Sequence, residues 1–406
     1  MSNQFASIAN ALGILKIFYA GPIVSQFNDE IPLFRAAEKG REKFNGLQVN
    51  RPIKVLRNPG IGATSDGGNL PAIGKQTTTQ AIITARYNYL RFGVTGPMIK
   101  ASQGDKGSFV GIMEYEMEQG LVDSKNDVNR QLFWNGRGDL ATVSSAAVNS
   151  SVITVTGRTT GEDGSKYLFQ TMEVDIYDPV TSVQKAASVT INTVTGTATA
   201  ILALNQNVTV AVGDILVRAG AYNNEIQGIR TTLDGLSTTI YGINRATYPV
   251  YNGTVVNASG QQLRLDLMKQ TINETRYKSG EKVSAIMTDF ATERYYEKLL
   301  ISDKRFIGEK VTGDGSFANK GEAYLAYGAI PVVADKDCPG NEMNFLTMAG
   351  WKKYVLGAEF EWADETGSYM IAQTGTDQFE CRLRLFCNMF PEKPSGSARL
   401  TNYVSP

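Results

Sequence analysis

The side chains able to do chemistry here are carboxylates, lysines, arginines, hydroxyls and three thiols, because the 406 residues include no histidine. A chain without imidazole cannot build a Ser-His-Asp triad, a Cys-His dyad or a His-ligated metal centre. Carboxylate-pair hydrolysis, Ser-Lys dyads and oxygen-ligated magnesium or calcium survive that cut, but no spacing in the sequence argues for one. Cys338, Cys381 and Cys387 have no zinc-type spacing and are too few for a disulfide framework. Cys381 and Cys387 fall on one predicted strand, where about 3.3 Å per residue separates them by about 20 Å, beyond disulfide reach. They read as small core hydrophobes in a reducing cytoplasm. No catalytic residue, cofactor-binding residue or metal ligand is assigned, and no cofactor is expected.

Short motifs that could carry chemistry have plainer readings. Arg137-Gly138-Asp139 is the tripeptide of integrin ligands, but its place after a predicted helix makes it a structural turn. Gly60-Ile61-Gly62 opens like a dinucleotide fingerprint and lacks the third glycine and the helix that would complete it. The basic residues Lys16, Arg35, Lys39, Arg41 and Lys43 read first as a solvated face, with Lys39, Arg41 and Lys43 the candidates for facing DNA. Arg86, Tyr87, Tyr89 and Arg91 form the most suggestive cluster, since arginine and aromatic side chains are enriched at protein interfaces.

The elements that would position these residues follow from periodicity. Phe5, Ile8, Ala9, Leu12, Leu15 and Tyr19 share one helical face that Gly21 and Pro22 end, giving an amphipathic arm. Val49 to Arg57 and Thr77 to Val94 read as two strands of a ribbon. The connecting loop holds Pro59, Gly60, Gly62, Gly67, Gly68, Pro71 and Gly74 and is an unstructured tip far longer than a tight turn. Such a ribbon is marginal alone and has little of its own chain to pack on, so a neighbouring surface is expected to hold it. Ser108 can cap a long helix carrying Val110, Met113, Met117, Leu121, Val128 and Leu132 on one stripe, with Gly120 lowering its helicity by about 1 kcal/mol.

From Ala141 to about Gly220 valine, threonine, serine and glycine dominate. Strands are predicted at Ser151–Val155, Phe169–Tyr177, Ser188–Asn192, Thr197–Leu204 and Asp214–Arg218, a small barrel or sandwich. Beyond Asn224 the pattern is mixed. A helix carries Leu263, Leu267, Met268 and Ile272, a strand runs from Val283 to Met287, and Asp289 caps a helix with Tyr295, Leu299 and Leu300. A glycine-rich loop from Gly308 to Gly321 precedes strands at Tyr324–Val333, Phe345–Met348 and Glu380–Asn388. Forty basic residues balance forty acidic ones, so contact with nucleic acid would be local and non-specific. No stretch has transmembrane length, and the apolar run from Ile8 lacks the basic start of a signal peptide.

Taken in order, arm, ribbon, long helix and mixed terminal part resemble the major capsid protein of tailed double-stranded DNA phages, the Hong Kong 97-like fold. The phrases that carry the resemblance are LKIFYAGPIVSQFND at Leu15–Asp29, ARYNYLRFGVTGPMIKAS from Ala85, and LFWNGRGDLATV at the exit of the long helix. Further on they are AVGDILVRAG at Ala211–Gly220, GLSTTI from Gly235, the pattern Gly328, Pro331, Val332, Asp335 before Cys338, an aromatic at Trp351, and the ending MFPEKPSGSARLTNY. The β segment departs from the minimal fold.

The resemblance implies an α+β phage major capsid fold with an inserted all-β domain. Its parts would be an N-terminal arm over 1–48, an extended β-hairpin loop over 49–97, a spine helix and peripheral domain over 98–145 and the inserted β domain over 146–222. An axial domain over 223–375 and a C-terminal return to the peripheral domain over 376–406 would follow. It implies self-assembly into hexamers and pentamers of an icosahedral shell enclosing packaged DNA, with a scaffolding protein, a portal and a decoration protein as partners and no membrane contact. The chain would be made in a bacterial cytoplasm and reside in the virion capsid, its arm uncleaved. Arg86, Tyr87, Tyr89, Arg91, Lys54 and Lys75 are the interface candidates. Some relatives join subunits by a Lys-Asn isopeptide bond, for which Lys54 or Lys75 could serve, but no acidic catalyst or asparagine partner is identifiable and non-covalent locking is expected. An encapsulin-like compartment shell is the alternative, and a histidine-free carboxylate hydrolase with a β accessory domain is a further one.

Overall fold

A computed structural model of the chain describes residues 32–40, 44, 48–97, 112–234, 239–301, 325–327, 330–364 and 371–404. The expected arm helix over residues 3 to 19, the Ser108 cap, Arg41, Lys43 and the 308–321 loop lie outside the described residues. In chain order the elements begin with α1 (Pro32–Ala36), β1 (Glu38–Lys39), β2 (Gln48–Leu56), β3 (Thr77–Thr84), β4 (Arg86–Thr95) and α2 (Ile112–Leu132). There follow β5 (Asp139–Ser145), β6 (Ala147–Thr156), β7 (Glu173–Tyr177), β8 (Gln184–Thr195), β9 (Thr199–Val210) and β10 (Ile215–Arg218). Next come α3 (Arg230–Leu233), β11 (Thr239–Ile240), β12 (Ile243–Asn244), β13 (Thr254–Asn257), α4 (Leu265–Ser279), β14 (Ala285–Thr288) and α5 (Phe290–Ile301). The last are β15 (Leu325–Tyr327), β16 (Ile330–Ala334), β17 (Glu342–Leu346), β18 (Trp351–Val355), β19 (Glu361–Trp362), β20 (Ile371–Ala372), β21 (Gln378–Pro391) and β22 (Ala398–Thr401).

The chain divides into two compact units, one of residues 1–30, 88–127 and 358–385, the other of 31–87, 128–357 and 386–406. In the first, β4 pairs with the start of β21, which also takes β19 and β20 as partners. Phe92 meets Trp362 edge-to-face at 5.9 Å, and Arg91 bonds Glu380 at 2.6 Å. Helix α2 runs unbroken through Gly120, and the cause is a close approach: a Cβ there would lie 2.4 Å from Leu90 Cδ2.

In the second unit six strands close into a barrel in the order β10, β5, β6, β9, β8, β7, with β10 returning to pair with β7. Period-two alternation makes this core: Ala200, Leu202, Leu204, Val208 and Val210 of β9 point inward with Val155, Val174, Ile176 and Ile191. Each buried valine, leucine or isoleucine contributes roughly 1.5–3 kcal/mol. The barrel begins at Asp139, seven residues before the expected 146, because Asp139–Ser145 is a strand that the short apolar run after the turn concealed. Strand β7 starts at Glu173 rather than Phe169, since Phe169 is half exposed and lies in the preceding turns.

The same unit holds a six-stranded sheet, β13-β22-β17-β14-β16-β15, with parallel β13/β22 and β14/β16 pairs. Helices α4 and α5 supply Leu267, Met268, Tyr295 and Tyr296 to its core beside Ile286, Phe345 and Leu400. Asp289 caps α5 as expected, its Oδ2 accepting from Ala291 N–H at 3.1 Å and Thr292 N–H at 3.3 Å. Where one strand over Tyr324–Val333 is expected, two short strands pair antiparallel, Leu325 opposite Val332. All three thiols are buried and unpaired by disulfide, with Cys381 and Cys387 on β21.

Candidate functional site

The ribbon of β2 and β3 pairs from Gln48↔Thr84 to Leu56↔Thr77. Alternation turns Val49, Ala81 and Ile83 to one face, where Ile240, Tyr241, Ile243 and Tyr251 cover them. Ile82 N–H also donates to the Tyr241 carbonyl at 2.8 Å. The ribbon root is therefore held by its own chain, which corrects the expectation that it has little to pack on. The tip is different. Residues 57–76 contain no regular element, and Ile61, Leu70 and Ile73 are 86%, 84% and 105% exposed. One local bond, Gly60 N–H to Asn58 Oδ1 at 2.8 Å, shapes its base. Ile61, Leu70 and Ile73 all belong to the same twenty-residue connection between β2 and β3.

The second ribbon strand stops at Thr84 instead of Val94, and β4 leaves the ribbon to pair with β21. The suggestive cluster thus sits off the ribbon. Tyr87, Tyr89 and Arg91 alternate onto the exposed face of β4, Tyr87 at 50% and Tyr89 at 59%, while Arg86 falls on the opposite face. Arg86 Nη1 donates to the Asn223 carbonyl at 2.9 Å, and burial lowers its pKa. Tyr87 packs edge-to-face on Phe386 at 5.2 Å. Arg91 is engaged by Glu380, which Arg382 shares at 2.7 Å. Lys54 and Lys75 are exposed on the ribbon and its loop, and Lys39 is exposed on β1, paired in register with Lys353. Arg137 bonds Asp139, which is 2% exposed, so the Arg-Gly-Asp tripeptide is a closed turn.

A buried polar clasp at the barrel base was not foreseen. Arg158 forks onto Glu162 at 2.8 and 3.1 Å and stacks between Trp134 at 4.6 Å and Tyr167 at 4.3 Å. Its Nη2 also donates to Tyr167 Oη at 2.7 Å, and that hydroxyl donates to Asp337 Oδ1 at 3.1 Å. Asn129 on α2 completes the link, its amide donating to both Asp335 Oδ1 and Asp337 Oδ2 at 2.8 Å. Barrel, helix end and sheet are thereby joined through side chains more than twenty residues apart in sequence, a pattern that no local periodicity encodes. Burial opposes the Glu162 charge, but Arg158 and Lys166 outweigh it and hold the carboxyl at about 2.

Asp335 behaves in the opposite sense. Burial and the neighbouring Asp337 charge raise it to about 7, against hydrogen bonds from Asp337 N–H and Asn129. Its Oδ2 has no hydrogen-bond partner. The folded chain therefore keeps a proton that the unfolded chain releases above the ordinary value of 3.8. The contribution of Asp335 to stability therefore falls as pH rises from about 4 to about 7 and then levels off. Asp335→Asn is expected to abolish that slope in urea unfolding midpoints measured between pH 4 and pH 8, and an unchanged slope would refute the assignment.

No protein-family model matches the sequence, and no match is found among curated proteins. Solved structures do match, along almost the whole chain. The chain shares its α+β fold with chains from phage and GTA-particle capsids. The capsid asymmetric unit of cyanophage A-1(L) is similar at TM-score 0.64 and 13% identity, covering 98% of this chain and 99% of that one. The capsid of a native GTA particle is similar at TM-score 0.54 and 8% identity, covering 99% and 100%. The holo-SrpI encapsulin complex from Synechococcus elongatus PCC 7942 is similar at TM-score 0.50 and 6% identity, covering 98% and 96%. Among the described residues, no cluster of acidic and cysteine side chains could hold a metal ion, and no helix is long and apolar enough to cross a membrane.

Proposed function

We propose that this chain is the major capsid protein of a tailed double-stranded DNA phage, with a structural rather than catalytic role. Copies assemble into hexamers and pentamers of an icosahedral shell around packaged DNA. The observation that carries this reading is the end-to-end likeness to the cyanophage capsid chain, which covers 98% of this chain rather than one shared domain. The ribbon tip supports it, since Ile61, Leu70 and Ile73 present apolar surface that a neighbouring copy can bury. Curved shells require one interface to work in several geometries, and a glycine-rich tip can re-aim without repacking a core.

On this reading the ribbon with Lys54 and Lys75, and the exposed Tyr87 and Tyr89, contact neighbouring subunits without covalent cross-linking. Lys39, Arg41 and Lys43 face DNA non-specifically. A scaffolding protein, a portal and a decoration protein are the expected partners, and synthesis takes place in the bacterial cytoplasm. On this reading the six expected parts carry the roles that the resemblance implies, with the extended hairpin loop ended at Thr84 and the inserted domain started at Asp139.

The test is light scattering of the purified chain followed by negative-stain electron microscopy. Closed shells, rings or tubes are expected, and a stable monomer that resists assembly with scaffold would overturn the reading. Replacing Ile61, Leu70 and Ile73 together by serine should leave the unfolding midpoint of the single chain unchanged and abolish shells. The likeness to an encapsulin favours a second reading, a cellular compartment shell. Nuclease-protected DNA in purified particles supports the phage, and a co-purifying cargo enzyme supports the compartment.

A further inference from the structure

At the barrel base lies a cavity of about 290 Å³ lined by Trp134, Arg137, Arg158, Arg230, Asp234 and Arg399, among others. That volume lies just below the roughly 300–1,000 Å³ typical of ligand pockets, which suits a small ion. The polar atoms left without hydrogen-bond partners on these residues are all donors: Trp134 Nε1, Arg158 Nη1, Arg230 Nη1, and Nε and Nη1 of Arg399. They are deeply placed, with Trp134 4% and Arg399 6% exposed and the Arg158 side chain 0% exposed. Stacking fixes their planes, because the Arg158 and Arg230 guanidiniums lie 4.6 and 4.2 Å from the Trp134 ring centre.

The charges around the cavity do not balance. Glu162 is taken by Arg158 and Lys166, Asp139 by Arg137, and Asp234 lies 3.5 Å from Arg245. Glu342 is shared by two guanidiniums, Arg230 at 2.8 Å and Arg399 at 3.5 Å, and Asp234 also pulls on Arg230. Burial lowers the Arg230 pKa, and the like charges of Arg399 and Arg158 lower it further against the pull of Glu342 and Asp234. Water could fill the vacant donor directions but could not neutralise the surplus positive charge. An anion with several acceptor oxygens does both, and guanidinium forks match that geometry.

We propose that this cavity binds one small oxyanion of the inorganic phosphate or sulfate class. The anion would bridge Arg158 of the barrel to Arg230 on α3 and Arg399 on β22, with the Trp134 indole N–H as a further donor. The barrel would then be fastened to the sheet by an ion as well as by the clasp. The proposal is independent of the shell-forming role.

The test is isothermal titration of the purified full-length chain with inorganic phosphate at constant ionic strength set with chloride. One saturable site per chain is expected, competed by sulfate. Arg230→Gln should weaken it by about tenfold or more, because it removes a charged donor. No saturable heat, or a folded Arg230→Gln variant with unchanged affinity, would overturn the proposal. If that variant does not fold, amide hydrogen exchange of the wild-type chain decides: phosphate should slow exchange at the 229–234 turn and beside Trp134, and protection confined elsewhere counts against the site. A short oligodeoxythymidine is the second arm. If it displaces phosphate, the cavity reads nucleic-acid phosphodiesters and the small-ion assignment is wrong.

Discussion

Arg158→Ala is expected to destabilise the chain by about 3–5 kcal/mol, read as the shift in urea unfolding free energy at pH 7. The loss comes from what stays behind. Glu162 is 8% exposed and would lose both bonds of the guanidinium fork, keeping Lys166 at 3.1 Å and the backbone N–H of residue 158 at 3.1 Å. Its carboxyl would then rise from about 2 towards the protonated form, so the variant should lose most of its extra sensitivity to acid between pH 4.5 and pH 2. The wild-type stability contributed by Glu162 is present above 4.5 and disappears as pH falls through about 2. Trp134 and Tyr167 would also lose the cation between them, about 0.5–2 kcal/mol for each such contact. The double replacement Arg158→Met with Glu162→Leu separates these causes. Removing both charges together should cost far less than removing one, and equal losses would show that packing, not the orphaned charge, dominates.

Gly228→Ala should be nearly as damaging, by about 3 kcal/mol. A Cβ at this position would sit 2.1 Å from Leu132 O and 2.4 Å from its carbonyl carbon, at the end of α2. Those atoms are backbone and cannot rotate away. The next residue donates its N–H to the same Leu132 carbonyl at 2.7 Å, Ile226 N–H reaches Gln131 Oε1 at 3.0 Å, and Gln227 N–H reaches Asn388 Oδ1 at 3.0 Å. Relieving the clash shifts the segment that satisfies the helix's last carbonyls, so overpacking and lost hydrogen bonds add. Thermal unfolding by circular dichroism measures the loss, and a variant within 0.5 kcal/mol of wild type would mean that the helix end yields more readily than its bonding suggests.

What could be read from the residues was what repeats locally. The apolar stripe of α2, the shift to valine and threonine that marks the barrel, the Asp289 cap and the lone thiols all depend on neighbours within one turn or strand. Their positions were recoverable for that reason. The break at Ala85 was not, because the apolar alternation of Ile82, Ile83, Tyr87 and Tyr89 continues across it while the partner strand changes from β2 to β21. The same ambiguity hid β5, whose few apolar residues follow a glycine turn without a pause. The Arg158 clasp and the arginine cavity were invisible for a stronger reason. Asn129 and Tyr167 reach Asp337 from 208 and 170 residues away in the sequence, Arg399 lines one cavity with Arg158 and Arg230, and charged residues scattered through a sequence carry no mark of the partner they will find. Of the interface candidates, the exposed tyrosines stood out by type, whereas Ile61, Leu70 and Ile73 were unremarked because isolated apolar residues in a glycine-rich stretch have no periodicity.

Val217 of the last barrel strand pairs with Asp139, the first residue of the first. The chain therefore enters and leaves the barrel side by side, and the barrel core is filled by residues between Leu140 and Leu216 alone. In evolutionary terms this is the anatomy of a cassette: a length of gene can be gained, lost or exchanged there without rerouting the polypeptide on either side. A display protein grafted between these two positions need only have adjacent termini of its own, and the clasp and the cavity would be the features forfeited in the exchange.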